Sequence, residues 1–269
     1  MSMTEPPFRR VAIAGNGLIG ASVQLAARRA WPEIELTAID AGDALAGIAG
    51  ADLVVLAAPV RANIGLLDAI QPHIAAGTVV TDTGSTKRAI CAAAARHPGT
   101  AFIGGHPMAG AAKGGAANAR ADLFDGRPWI LTPGAGIPAG AGGRLDTFVT
   151  GLRAVPHVMT PDLHDRFVGA VSHLPQLTAS ALMHVVGKLA GDAGLEIAGP
   201  GLVDTTRLAG SRPEIWKDIA ATNEDVLRAA LDELIHTLES LRDSLGTGEA
   251  IDAVFTSACR WRTSVDRNR

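Results

Sequence analysis

The chain has 269 residues, 47% of them hydrophobic and 19% charged, with a formal net charge of -3. This is the composition of a globular protein long enough for two modest domains, and the near-balanced charge excludes the basic face of a nucleic-acid binder. Two cysteines, Cys91 and Cys259, cannot build a disulfide framework and point to a reducing compartment.

Arg9 and Arg10 precede an uncharged stretch, residues 11–27, that mimics a signal peptide. It is too short to span a bilayer comfortably. Its glycines and the polar Asn16, Ser22 and Gln24 fit a strand–turn–helix better, so the chain is expected to be cytoplasmic, with no membrane partner. Short apolar runs predict strands at 10–14, 34–39, 53–57, 79–82, 101–104, 129–131 and 154–159. Most are continuous rather than alternating, as in parallel strands covered on both faces. Helical stretches such as 20–29, 64–74 and 87–96 lie between them. The alternation predicts an α/β, Rossmann-type doubly wound sheet over residues 1–160. The glycine-rich segment 134–143 reads as a flexible connection before the last helix and strand.

After residue 160 helical periodicity takes over. Leu227, Leu231, Leu234, Leu238, Leu241 and Leu245 recur at alternating steps of four and three, which is a heptad seam. Such a seam packs within a domain or against a second subunit. The expectation is an all-α domain over 161–269 that forms a homodimer.

Gly15-Asn16-Gly17-Leu18-Ile19-Gly20 follows the first strand and opens a helix. Gly15 permits the tight turn, Gly17 lets backbone approach a pyrophosphate, and Gly20 allows close helix–strand packing. Asp40 follows at the end of the second strand, where a carboxylate can accept both ribose hydroxyls and would repel a 2′-phosphate. The expected cofactor is therefore NAD, with a solvated turn residue as the alternative for Asp40. Ala58 and Pro59 end the third strand, at the carboxyl-end crevice where such sheets bind ligands. They pass beneath the cofactor or make a simple strand-ending turn. Thr83, after the fourth strand, joins the cofactor candidates. No metal site is expected.

Ser85 sits where the next helix should start, which makes it an N-cap candidate. His106, between Gly105 and Pro107, lies at the carboxyl end of the fifth strand in the same crevice. With an ordinary pKa near 6.5 it is a general-base candidate. Pro175 in Ser172-His173-Leu174-Pro175-Gln176 marks a kink or a first helical turn. Gln176, Ser180 and His184 follow His173 on one helical face, lining a ligand cavity or bonding one another at an interface. Arg207 offers a planar fork for a carboxylate, with a surface ion pair as the alternative, and Trp216 reads as core packing on its own.

In this order the motifs resemble the prephenate/arogenate (cyclohexadienyl) dehydrogenase family of tyrosine biosynthesis. The resemblance rests on residues 15–20, DTGSTK at 82–87, HPMAG at 106–110, SHLPQ at 172–176 and TRLAGSRPEIWKDI at 206–219. It implies a Rossmann domain with a helical dimerisation domain, and NAD-dependent oxidative decarboxylation. It implies that His106 takes the proton of the ring hydroxyl, that Ser85 bonds near that hydroxyl and orients the histidine, and that Arg207 binds the ring carboxylate. It also implies that His173 and Trp216 line or support the pocket. Gln176 departs from the second histidine of many members, and Ala112 from an acidic residue that bears on arogenate preference. With the chain ending at Arg269, feedback by tyrosine is expected at or near the active site. A β-hydroxyacid dehydrogenase or imine reductase, with Lys188 as its nearest candidate lysine, is the enzymatic alternative. A non-catalytic NAD-responsive regulator is the other.

Overall fold

A computed structural model describes residues 5–111, 113–134 and 136–267. Compactness divides the chain into one unit ending at Glu224 and a second beginning at Asp225.

The first unit is built on a seven-stranded sheet with the order β2-β1-β3-β4-β5-β6-β7. The strands are β1 (Arg10–Ala14), β2 (Glu35–Ile39), β3 (Leu53–Leu56), β4 (Val79–Asp82), β5 (Ala101–Pro107), β6 (Pro128–Pro133) and β7 (Val155–Val158). Helices α1 (Leu18–Ala30), α2 (Val60–Ala69), α3 (Arg88–Ala94) and α4 (Ala141–Gly151) connect them. Side chains of a strand alternate between faces, and both faces here are covered. Val11, Ile13, Leu53 and Val55 join one apolar layer with Val23 and Ala27 of α1 and Phe148 of α4. Ala12, Ala14, Val54 and Leu56 join the opposite layer with Leu67 of α2 and Ile90 of α3. Two-sided burial is why these strands read as unbroken apolar runs.

One pairing in this mostly parallel sheet runs the other way. β5 and β6 are antiparallel, with His106 opposite Ile130 and Pro107 opposite Trp129. Among the described residues, the connection between them carries a short 3-10 turn at Ala116–Asn118 and no α-helix. Parallel pairing needs a crossover, usually a helix, and none forms among the described residues of this connection.

Beyond β7 the elements are helical. They are α5 (Pro161–Val168), a π-turn (Gly169–His173), α6 (Leu174–Leu195), α7 (Pro200–Thr205), a 3-10 turn (Arg207–Gly210) and α8 (Pro213–Thr222). Pro175 falls in the first turn of α6, where its missing N–H costs nothing.

The second unit contains α9 (Glu224–Asp243) from its second residue onward and α10 (Glu249–Arg267). In the single chain Leu238 and Leu245 of the heptad seam are exposed, and Leu231, Leu234 and Leu241 are half-buried. No helix among the described residues is long and apolar enough to cross a membrane.

Candidate active site

Strand order reverses at β1, whose neighbours are β2 and β3, so the ligand crevice opens at its carboxyl end. Gly15 turns there with φ 112°, and a Cβ on it would meet the carbonyl carbon of Ala57 at 2.7 Å. A Cβ on Gly20 would strike the Gly15 carbonyl oxygen. Both positions therefore require glycine. Gly17 is different, because a Cβ there would meet nothing within 4 Å. It precedes α1, which has no side-chain cap and no acidic residue in its first turn. The free N–H groups around Leu18 and Ile19 and the positive end of the helix dipole thus face open space. A pyrophosphate fits that cradle. Asn16 accepts a hydrogen bond from Gln24 Nε2 at 3.0 Å, which ties the turn to α1. Asp40 is exposed beyond β2, and its Oδ1 accepts from the Ala41 N–H at 2.9 Å.

The turn at Ala58 and Pro59 is fixed by Asn63, a fully buried residue that sequence reading overlooked. Its Oδ1 accepts from the Ala58 N–H at 3.0 Å and its Nδ2 donates to the Leu56 carbonyl at 3.1 Å. The Thr83 N–H also donates to Leu56, at 3.0 Å.

The side chains of the crevice floor are more densely connected. Asp82, ending β4, and Lys87 form an ion pair with no exposure on either partner. Asp82 Oδ1 accepts from the Gly105 N–H at 3.0 Å, and Lys87 Nζ donates to the Gly105 carbonyl at 2.7 Å. The pair thus holds both polar groups of the residue before His106. Gly105 admits no side chain, since a Cβ would meet the Asp82 carbonyl oxygen at 2.4 Å.

His106 is buried, and its Nδ1 lies 2.8 Å from His164 Nε2. His164 Nδ1 lies 2.7 Å from Asp165 Oδ1. Asp165 also accepts from the backbone N–H groups of Lys87 at 2.6 Å and Arg88 at 3.0 Å. This corrects the N-cap expectation for Ser85. α3 begins at Arg88, and it is Asp165, from α5, that caps its start. Ser85 sits half-buried on the preceding turn. Asn223 breaks the helical run between α8 and α9. It is buried, donates to the Asp165 carbonyl at 2.9 Å and accepts from Arg88 Nη2 at 2.9 Å.

Burial pushes the His106 pKa well below its ordinary value, and the neighbouring His164, Lys87 and His173 push it further. His164 is lowered mainly by burial, against the opposing pull of Asp165. Burial would raise Asp165, but hydrogen bonds from His164, Arg88 and Lys87 more than offset it and hold the carboxyl below its usual value. His173 is lowered to about 4, chiefly by burial. At neutral pH these three rings are therefore uncharged.

His173 ends the π-turn with its ring edge-on to Trp216, centroids 5.9 Å apart. Its buried Nδ1 has no hydrogen-bond partner among the described residues. Of the two readings offered for the polar stripe, mutual bonding holds for Gln176 and Ser180. Gln176 Nε2 donates to the Leu208 carbonyl at 2.8 Å and to Ser180 Oγ at 3.2 Å, while its Oε1 accepts from Ser211 at 3.0 Å. The amide holds the segment that carries Arg207, which is itself exposed. His184, on the same predicted stripe, is exposed as well. Ala112 lies outside the described residues.

With Asn63, residues His164, Asp165, Lys87, Asp82 and Asn223 are thus the site residues that sequence reading did not assign. The only signals were the adjacent His-Asp of α5 and the charged residues that flank Ser85.

A family model described as "Prephenate dehydrogenase, nucleotide-binding domain" matches residues 16–155, and one described as "Prephenate dehydrogenase, dimerization domain" matches 160–255. A prephenate dehydrogenase of Bacillus subtilis is 31% identical over 86% of this chain and 69% of its own length. A cyclohexadienyl dehydrogenase of Zymomonas mobilis is 29% identical over 89% of each chain. The structure of prephenate dehydrogenase from A. aeolicus, in complex with hydroxyphenyl propionate and NAD+, covers 98% of this chain and 100% of its own, with TM-score 0.86 and 24% identity.

Proposed function

The chain belongs to the prephenate dehydrogenase family, and from that premise we propose that it oxidatively decarboxylates prephenate, arogenate or both, with NAD as hydride acceptor. The products are 4-hydroxyphenylpyruvate or tyrosine, with CO2. One observation carries the reading: a buried, neutral histidine stands at the carboxyl end of β5, in a crevice whose other wall is an uncapped helix start behind Gly17.

The substrate is a cyclohexadienol with a carboxylate across the ring from its carbinol carbon. His106 accepts the hydroxyl proton on its second ring nitrogen, Nε2. Once that proton is gone, the C–H electron pair can depart as hydride and the ring carboxylate as CO2, which leaves an aromatic ring. When bound, NAD supplies the acceptor for that hydride. The protein's task is to align the ring, take one proton and hold the carboxylate. Arg207 holds the carboxylate through its planar fork. Gln176 keeps the Arg207 segment in place. Ser85 orients the hydroxyl, and His173 and Trp216 bound the pocket, with the unpartnered Nδ1 of His173 free to bond the substrate. Gly15 to Gly20, Ala58, Pro59 and Thr83 hold the dinucleotide, and Asp40 takes the ribose hydroxyls. The dinucleotide domain spans 1–160 and the helical domain 161–269. The latter forms a homodimer, for which the half-exposed leucine seam of α9 is the support. The protein works in the cytoplasm.

Ala112 places no carboxylate to pair with an ammonium group, which favours prephenate. Parallel kinetics on prephenate and arogenate, read as appearance of reduced nicotinamide, test this. The expected result is a higher kcat/KM for prephenate. Turnover of neither substrate would overturn the reading.

A further inference from the structure

A general base needs a bare lone pair on the nitrogen that meets the substrate, and a neutral imidazole can carry its proton on either nitrogen. In this protein the choice is made two residues away. Asp165 is fixed by the backbone N–H groups of Lys87 and Arg88 and by Arg88 Nε at 3.3 Å. Held ionised, it can only accept. His164 must then carry its proton on Nδ1, 2.7 Å away, and present a lone pair at Nε2. That lone pair lies 2.8 Å from His106 Nδ1 and can itself only accept. His106 must therefore carry its proton on Nδ1, which leaves Nε2 bare.

We propose that Asp165 and His164 are positioning residues that lock His106 into the tautomer with a free Nε2, ready to receive the substrate proton. The proposal rests on His106 being the base of the proposed reaction. When the hydroxyl proton arrives on Nε2, His106 becomes an imidazolium whose Nδ1–H still donates to His164. No second proton moves. His164 stays neutral, because a second cation 2.8 Å from the first would be repelled. The new positive charge is stabilised by the His164 lone pair and, behind it, by the Asp165 carboxylate. The other charged or titratable groups around the ring are Asp82 from β4, Lys87 from the following turn, Arg88 from α3 and His173 from the π-turn. Asp82 and Lys87 offset each other as an ion pair, and Arg88 lies against Asp165. The extra stabilisation of the imidazolium thus comes through the one chain of groups that touches Nδ1.

The fold supports this reading independently of the chemistry. His164 and Asp165 are wholly buried on α5, and His164 lies 58 residues from His106 in sequence. A carboxylate needed only to cap α3 would not require a histidine between itself and His106. A histidine needed only to fill space would not require both its nitrogens in hydrogen-bond range.

Long-range proton–nitrogen correlation spectra of the full chain, labelled at histidine, read the tautomer directly, with His106 assigned through His106→Gln. The expected spectrum shows His106 protonated on Nδ1 and bare on Nε2 at neutral pH. A proton on Nε2 would overturn the proposal. Two substitutions add a kinetic reading. His164→Gln can keep a carbonyl oxygen near the position of Nε2 and should retain kcat within about tenfold. His164→Leu removes the acceptor and should lose about 10²-fold or more in kcat with little change in KM, the range of positioned acid–base catalysis. Loss of activity alike in both variants, or in neither, would overturn the proposal. The tautomer is read without substrate. A chain with the expected spectrum that fails to oxidise prephenate would therefore refute the proposed function and leave the positioning relay standing.

Discussion

The two walls of the crevice are built on opposite plans. At the nucleotide end the working groups are backbone: a glycine turn, an open N–H cradle before α1 and one exposed carboxylate, Asp40. At the β5 end they are side chains, and nearly every one is buried and satisfied by another. An open cradle can receive a large charged ligand and release it. A closed polar network cannot move, so it can hold one imidazole in one orientation. The contrast teaches that an open cradle is made by leaving backbone donors unpaired, whereas His106 is held by a chain of paired side chains that ends on its Nδ1.

That contrast predicts unequal costs. Lys87→Met should be the most damaging to the fold, because it leaves the Asp82 carboxylate buried without its partner. Removing one member of such a pair costs about 3–5 kcal/mol, and chemical denaturation should show it as a lower midpoint. Arg207→Ala lies on the exposed side and should spare stability while raising the substrate KM by about 10–100-fold, the worth of a charge-assisted hydrogen bond of about 1.5–3 kcal/mol. Unchanged KM would remove Arg207 from the carboxylate. Asp40→Asn should raise the KM for NAD by about tenfold and narrow the margin over NADP, with kcat little affected.

The smallest effect expected is on pH dependence. His106, His164 and His173 all titrate below their ordinary value in the fold. Near pH 6.5 and below, the unfolded chain binds protons that the folded chain refuses, so stability is full above that pH and falls as pH drops. For His173, lowered to about 4, the loss between pH 6.5 and 5.5 should be on the order of 1 kcal/mol. Thermal melts across that interval would measure it. Stability that rose on acidification would contradict the neutral network.

The same contrast explains what the sequence revealed. The glycine fingerprint was legible because its function is encoded in consecutive residues with fixed spacing, and the sheet was legible because two-sided burial leaves unbroken apolar runs. His106 was a candidate from its place at the carboxyl end of a strand. Its partners were not. Asp165 meets Lys87 across 78 residues and Asn223 across 58, and no local pattern announces a contact of that range. Ser85 was an N-cap candidate because sequence logic looks for a cap next to a helix in the chain, whereas this helix borrows its cap from α5. The antiparallel β6 escaped for a similar reason. Strand composition does not report direction, which depends on whether the connection can cross the sheet.

The central claim is that a neutral His106 takes the hydroxyl proton of the substrate. Steady-state kinetics of His106→Asn beside the wild-type chain, with prephenate and NAD, test it most directly. The account predicts a kcat lower by about 10²–10⁴-fold with KM values nearly unchanged. A variant that turned over at close to the wild-type rate would contradict it.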